Sequence, residues 1–169
     1  MANLEIEVAS LLRKYQAKTG RLLTISTAES ATGGRIADRL TNVPGSSDYF
    51  KGSLIAYSNE VKINVLRIKK ETIENYGAVS SQTAIEMAEG GRKLLDTDIC
   101  ISDTGIAGPS GATAEKPVGL FYIGLATEDK NFSKEYTFSG NREENKRAAA
   151  ETTLNLLKQY LQQLISLAE

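Results

Sequence analysis

TISTAESATGGR, residues 24–35, decides how this chain is read. Residues 22–27 are apolar or β-branched apart from Ser26, the composition of a strand buried inside a sheet. The run breaks at Glu29-Ser30-Ala31-Thr32-Gly33-Gly34, and apolar residues then return at helical spacing over 35–40. A strand that ends in a small, glycine-rich turn and opens a helix suits a ligand. The first helical turn presents unpaired N–H groups and a partial positive charge, and glycine lets a ligand approach the backbone. Ser30 and Glu29 stand in that turn with side chains able to do chemistry. The same pattern also fits an ordinary strand-to-helix connection, so the rest of the chain has to decide.

Working outward, residues 4–18 place Leu4, Val8, Leu11, Leu12 and Tyr15 on one face of an amphipathic helix that stops at Gly20. After the second helix, residues 43–47 form a Pro-Gly-Ser loop. Residues 52–57 read as a second strand, and 60–66 as a helix with Asn59 as its N-cap and Glu60 in its first turn. A short helix over 70–76 closes at Gly77. A longer one, capped by Ser80 or Ser81, buries Ala84, Ile85, Ala88, Leu94 and Leu95. Residues 98–106 (DICISDTGI) read as a third strand, leading into a loop of small residues at 107–117. Residues 118–127 and 132–138 read as a strand and an alternating edge strand, and their short EDKN link predicts an antiparallel hairpin. A long helix over 142–167 turns Ala148, Leu154, Leu157, Leu161 and Leu164 to the core. Strands separated by helices predict a three-layer α/β/α domain. The hairpin makes its sheet mixed, mostly parallel. No repeat or linker divides the 169 residues, so a single domain over 1–169 is expected. Ligands of such sheets bind beyond the carboxyl ends of the strands, which gathers loops 28–35, 58–62 and 104–116.

Composition narrows the chemistry. Twenty Lys and Arg against 21 Asp and Glu leave a net charge of -1, which argues against an electrostatic nucleic-acid binder. No apolar run reaches the roughly 18 residues of a membrane helix, and no signal segment opens the chain, so a cytoplasmic protein is expected. The chain has no histidine, which excludes any Ser-His-Asp or Cys-His mechanism within it. Its single cysteine excludes an internal disulfide and an ordinary Cys/His zinc site. A catalytic base must then be Lys, Tyr, Asp or Glu, or a metal on oxygen ligands.

Ser30 occupies a strand-to-helix turn, as the nucleophile of α/β-hydrolases does, although G-x-S-x-G is missing. Cys100 lies within an apolar strand and reads as a small core residue. Ser46 and Ser47 follow a Pro-Gly turn, where serines usually serve the turn. Lys62 follows Tyr57 by five residues, across a strand-to-helix turn. A lysine activates a serine hydroxyl only if burial or a neighbouring cation draws its pKa down from about 10.4. A tyrosine can relay that proton or hold the lysine. The plainer alternative is an exposed helix lysine beside a packed strand tyrosine. The 105–116 loop (GIAGPSGATAEK) lacks the G-K-[ST] ending of a P-loop, but it can offer N–H groups to a phosphate or an oxyanion. Arg142, opening the last helix, is placed for a bidentate phosphate contact or as a surface residue.

Taken together, TAESATGG (27–34), GSSDYFKGSLIAYSNEVK (45–62), YGAVS (76–80), EMAEGGR (86–92), TGIAGPSG (104–111), EKPVG (115–119) and FSGNRE (138–143) resemble the CinA C-terminal domain family, the nicotinamide mononucleotide deamidases of the PncC type. The resemblance runs from about residue 24 into the last helix. It implies hydrolysis of the nicotinamide mononucleotide carboxamide to nicotinate mononucleotide and ammonia in pyridine nucleotide recycling, with no metal or organic cofactor. It implies a Ser30, Tyr57, Lys62 catalytic set, with Ser47 as second-choice nucleophile. Glu29, Thr32, Gly33, Gly34, Ser46, Asn59, Thr104, Gly105, Ala107, Gly108, Lys116 and Arg142 are implied substrate contacts. The family usually has cysteine at Ala31, and Gly-Asp-Arg where this chain has Gly140-Asn141-Arg142. The large N-terminal domain of longer CinA proteins is absent from the sequence, so a stand-alone deamidase is expected. Its expected partner is the small nucleotide alone, with no direct nucleic-acid or membrane contact, in a homodimer or higher homo-oligomer. A catalytically silent module linked to competence or DNA damage is the alternative, and an amidase for another small amide a third reading.

Overall fold

A computed structural model describes residues 3–168. The elements run α1 (Leu4–Thr19), β1 (Ile25–Glu29), α2 (Arg35–Thr41), a single 3-10 turn (Ser46–Asp48), β2 (Phe50–Ile55), α3 (Asn59–Asn64), α4 (Lys70–Tyr76), α5 (Ser81–Leu95), β3 (Ile99–Gly105), β4 (Leu120–Ala126), β5 (Asn131–Thr137) and α6 (Arg142–Leu167). Five strands form one sheet in the order β2-β1-β3-β4-β5. β1 pairs parallel with β2 and with β3, while β3–β4 and β4–β5 are antiparallel. The mixed sheet and terminal hairpin expected from the sequence are both present.

Alternation along the strands feeds two cores. Ile25, Ile99, Ile101 and Leu125 pack under Val8 and Leu12 of α1, Ile36 and Leu40 of α2, and Leu154, Leu157 and Leu161 of α6. Ala28 and Cys100 face the opposite side, against Met87 of α5 with Leu66 and Ile68. β1 and β3 are buried throughout except at Gly105, which is why they read as continuous rather than alternating apolar runs. Helices therefore cover both faces, the three-layer arrangement.

Differences from the sequence reading are local. β1 starts three residues later than the apolar run, and β2 spans 50–55 rather than 52–57. The N-cap of α3 is Ser58, whose side chain accepts the Val61 N–H at 3.1 Å, and Asn59 is the first helical residue. Leu94 is 53% exposed, because the face of α5 lying on the sheet is built from Thr83, Ala84, Met87, Ala88 and Gly91. Between Ser80 and Ser81, the cap is Ser80.

The order β2-β1-β3 contains a topological switch point. The chain leaves β1 to one side to form β2 and returns to the other side to form β3. The carboxyl ends of β1 and β3 diverge there and leave a crevice, where open α/β sheets take their ligands.

Candidate active site

The crevice is a pocket of about 270 Å³ whose lining includes Ser30 and Ala31 after β1, Tyr57, Asn59 and Lys62 around the start of α3, and Arg142 of α6. Its far wall is 104–108 with Ser110 and Gly111, together with Ala78 and Val79.

Ser30 follows the last residue of β1 and is 8% exposed. Lys62 is 2% exposed, in the second turn of α3, and its amine points back under β2. Nζ lies 3.0 Å from Ser30 Oγ, 2.8 Å from the Ala56 carbonyl and 3.3 Å from the Tyr57 carbonyl. The three oxygens match the three donors of an ammonium, with Nζ donating to Ser30 Oγ as well as to the two carbonyls. Once deprotonated, the amine keeps two N–H bonds to the carbonyls and can turn its lone pair to the serine hydroxyl. Burial pulls the Lys62 pKa below the ordinary lysine value, while the negative charge of Asp103 opposes the shift. The exposed-lysine alternative is thereby removed.

Tyr57 contributes twice. Its carbonyl holds Lys62, and its 62%-exposed ring lies at the pocket mouth, where its hydroxyl accepts from Arg142 Nη2 at 3.0 Å. Arg142 Nη1 also donates to the Gly108 carbonyl at 2.8 Å, so one guanidinium ties the mouth to the 105–111 loop. Asn145, one turn along and fully buried, donates to the Ala107 and Gly140 carbonyls at 3.0 and 2.9 Å and fixes the same loop. Gly105 admits no side chain, since a Cβ there would lie 2.3 Å from the Phe121 ring. On the same wall, the Thr104 hydroxyl donates to the Ala78 carbonyl at 2.6 Å. Lys116 donates to the carbonyls of Tyr76 and Val79.

The expected site residues separate into three groups. Ser30, Tyr57, Asn59, Lys62, Thr104, Gly105, Ala107, Gly108 and Arg142 line the pocket. Glu29, Thr32, Gly33, Gly34 and Lys116 do not line it but shape its walls. Glu29 is fully buried, and its carboxylate accepts the N–H groups of Gly34, Ile36 and Ala37, capping α2 from beneath. Gly33 and Gly34 take positive φ angles of 61° and 100° to make the turn. Ser46 and Ser47 lie outside the site altogether. They occupy the 3-10 turn that leads into β2, at the amino end of the parallel strands, so Ser47 stands at the opposite end of the sheet from Lys62. Cys100 is a sealed core thiol, its pKa pushed up to about 12 by burial.

Asp103 escaped the sequence reading. It is fully buried near the end of β3, and its carboxylate accepts the N–H groups of Ser30 and Thr32, each at 3.1 Å. The signal was an acidic residue inside a stretch read as a strand, since a lone carboxylate is not placed in a core without partners.

Fold and pocket together define an open-sheet α/β domain with a serine and a buried lysine meeting at the switch point. Residues 4–161 match the CinA C-terminal domain, and the chain belongs to that family. It is 54% identical over 155 residues to a CinA-like protein of Dictyoglomus thermophilum, covering 92% of this chain and 36% of that one. A CinA-like protein of Endomicrobium trichonymphae is 52% identical over 147 residues, 84% of this chain and 34% of the relative. The chain thus spans about a third of these relatives. The crystal structure of the competence damage-inducible protein A (ComA) from Klebsiella pneumoniae superposes with a TM-score of 0.86 at 29% identity, over 95% of this chain and 98% of that one. None of the described helices is long and apolar enough to cross a membrane.

Proposed function

We propose that the chain is a nicotinamide-nucleotide amidase that hydrolyses the carboxamide of nicotinamide mononucleotide to nicotinate mononucleotide and ammonia, with Ser30 as nucleophile and Lys62 as base. The observation that carries this reading is the buried Lys62 amine, 3.0 Å from Ser30 Oγ and anchored by the Ala56 and Tyr57 carbonyls. The resemblance of the sequence blocks to nicotinamide mononucleotide deamidases supplies the substrate.

Ser30 Oγ attacks the amide carbon and passes its proton to Lys62 Nζ, forming a tetrahedral intermediate. Collapse breaks the C–N bond. The departing nitrogen takes its proton from the Lys62 ammonium and leaves as ammonia, with an ester remaining on Ser30. The Tyr57 hydroxyl, expected from the sequence to pass that proton, stands instead at the pocket mouth with Arg142. Water then attacks the ester, Lys62 takes its proton, and nicotinate mononucleotide departs as Ser30 recovers its hydrogen. In this reading Arg142, which shares the pocket mouth with Tyr57, takes the substrate phosphate, and the 105–111 loop, which lines the same pocket, offers its N–H groups to the oxyanion.

The pH dependence follows from the sign of the Lys62 shift. The active form is the neutral amine, so kcat/KM for ammonia release rises with pH through the depressed Lys62 pKa and then levels. In Lys62→Ala the remaining activity is lower by about a thousandfold and loses that ascending limb. A Lys62→Ala profile that retained the limb would remove Lys62 from the mechanism. Tight nucleotide binding with no ammonia from the unaltered protein would mark a binding module instead.

A further inference from the structure

Ser30 is held by two groups at once. Its hydroxyl faces Lys62, and its backbone N–H donates to Asp103 Oδ1 at 3.1 Å, so one residue links the buried amine to the buried carboxyl group. Asp103 Oδ2 accepts the Thr32 N–H at 3.1 Å, which pins both sides of Ala31 and fixes the turn that presents the nucleophile. The Thr32 hydroxyl lies 2.5 Å from Asp103 Oδ1 and 2.7 Å from Glu29 Oε1. A hydroxyl has one hydrogen and can donate to only one of these two carboxyl groups. Glu29 already accepts three backbone N–H groups at the start of α2, whereas Asp103 has two. Asp103 is therefore the less well satisfied charge. Burial pushes its pKa up to about 6, the Glu29 charge adds to this, and the hydrogen bonds from Thr32 and the Ser30 N–H oppose it.

The surroundings leave few other charges to account for. Glu29 faces Asp103 from β1 and Lys62 from α3. Arg142 and Lys146 approach the corner from α6, and Arg35 at the start of α2 is engaged by Glu143. The β4 residue opposite Asp103 is Ile123, and Ala31, Ala107, Phe121 and Ala149 form an apolar cluster at this corner of the fold.

We propose that Asp103 is a positioning residue for the Ser30–Lys62 pair, anchoring the serine turn through the Ser30 and Thr32 N–H groups and governing through its negative charge how readily Lys62 gives up its proton. The inference deepens the amidase reading and rests on it only for the use to which the amine is put. Asp103 is fully buried and does not line the pocket. A purely structural strut would hold the turn and leave the proton affinity of Lys62 alone.

The test follows both titrations by NMR in the full chain, reading the Lys62 side-chain carbon next to Nζ and the Asp103 carboxyl carbon, with each signal assigned by its loss on substitution. In Asp103→Asn the Lys62 midpoint moves to lower pH, because a charge that favoured the ammonium is gone. In Lys62→Met, where a side chain of similar length replaces the amine, the Asp103 midpoint moves to higher pH, the reciprocal of the same coupling. The ascending limb of ammonia release in Asp103→Asn moves to lower pH with the Lys62 midpoint. If Asp103→Asn does not fold, the Lys62→Met titration decides alone. Midpoints that stay where they are in the unaltered protein overturn the proposal. Midpoints that move in a protein that releases no ammonia uphold the coupling and overturn the amidase reading.

Discussion

Asp103 shows what a single buried carboxyl group does to the whole domain. Its pKa, about 6 when folded against 3.8 in the open chain, means that the folded protein keeps a proton which the unfolded chain releases between those values. The resulting stabilisation is fully present below pH 3.8 and is lost as the pH rises through 6. The difference corresponds to about 3 kcal/mol. Asp103→Asn is expected to flatten the fall in unfolding free energy between about pH 4 and 6, measured by urea denaturation across a pH series. An undiminished fall would assign that slope to other carboxylates. Lys62 acts in a separate window. Its depressed pKa leaves the folded ammonium disfavoured at lower pH, and this cost is relieved as pH rises from the folded toward the unfolded value. At this scale the sequence was legible where a residue type was rare or its spacing unusual. Ser30 stood in a strand-to-helix turn, and Lys62 stood five residues beyond a strand tyrosine. Glu29 was expected to be a substrate contact from the family resemblance. Its side chain instead folds under the turn, toward N–H groups that only three-dimensional closure brings together.

Elements were legible in type and less so at their ends. α6 runs from Arg142 to Leu167 as read, because its cap is written in the sequence. Asn141 accepts the Glu144 N–H at 3.0 Å, and Glu144 accepts the Asn141 N–H at 2.8 Å, a full capping box. Aspartate, the residue expected here from the family resemblance, would cap equally well. Asn141→Asp is expected to leave thermal stability nearly unchanged, and Asn141→Ala to cost about 1 kcal/mol. A large loss in Asn141→Asp would point to a role beyond capping. In α5 the glycines were visible but their purpose was not. A Cβ on Gly90 would lie 2.0 Å from the Leu66 carbonyl, so the helix passes over the end of the α3–α4 connection at backbone contact. Alanine is the better helix former by about 1 kcal/mol, yet Gly90→Ala is expected to destabilise the domain by about 2 kcal/mol or more. A stabilised Gly90→Ala would show that the contact yields easily. Leu94 points outward because the buried face of α5 is made of Thr83, Ala84, Met87, Ala88 and Gly91.

For the whole molecule, the α/β/α layering and the hairpin followed from the order of the elements, whereas the strand order did not. Placing β3 beside β1 rather than beside β2 creates the switch point, and nothing local in DICISDTGI specifies that neighbour. The consequence is functional. Ser30, Lys62 and Arg142 are brought together from β1, α3 and α6, and Ser47 is left at the far end of the sheet. The most direct measurement is ammonia release from nicotinamide mononucleotide by the unaltered protein, Ser30→Ala and Ser47→Ala. The geometry predicts turnover by the unaltered chain, a loss of about a thousandfold or more in Ser30→Ala and near-normal turnover in Ser47→Ala. Loss in Ser47→Ala with Ser30→Ala active, or no ammonia from any of the three, would contradict the central claim that the Ser30–Lys62 pair is an amidase centre.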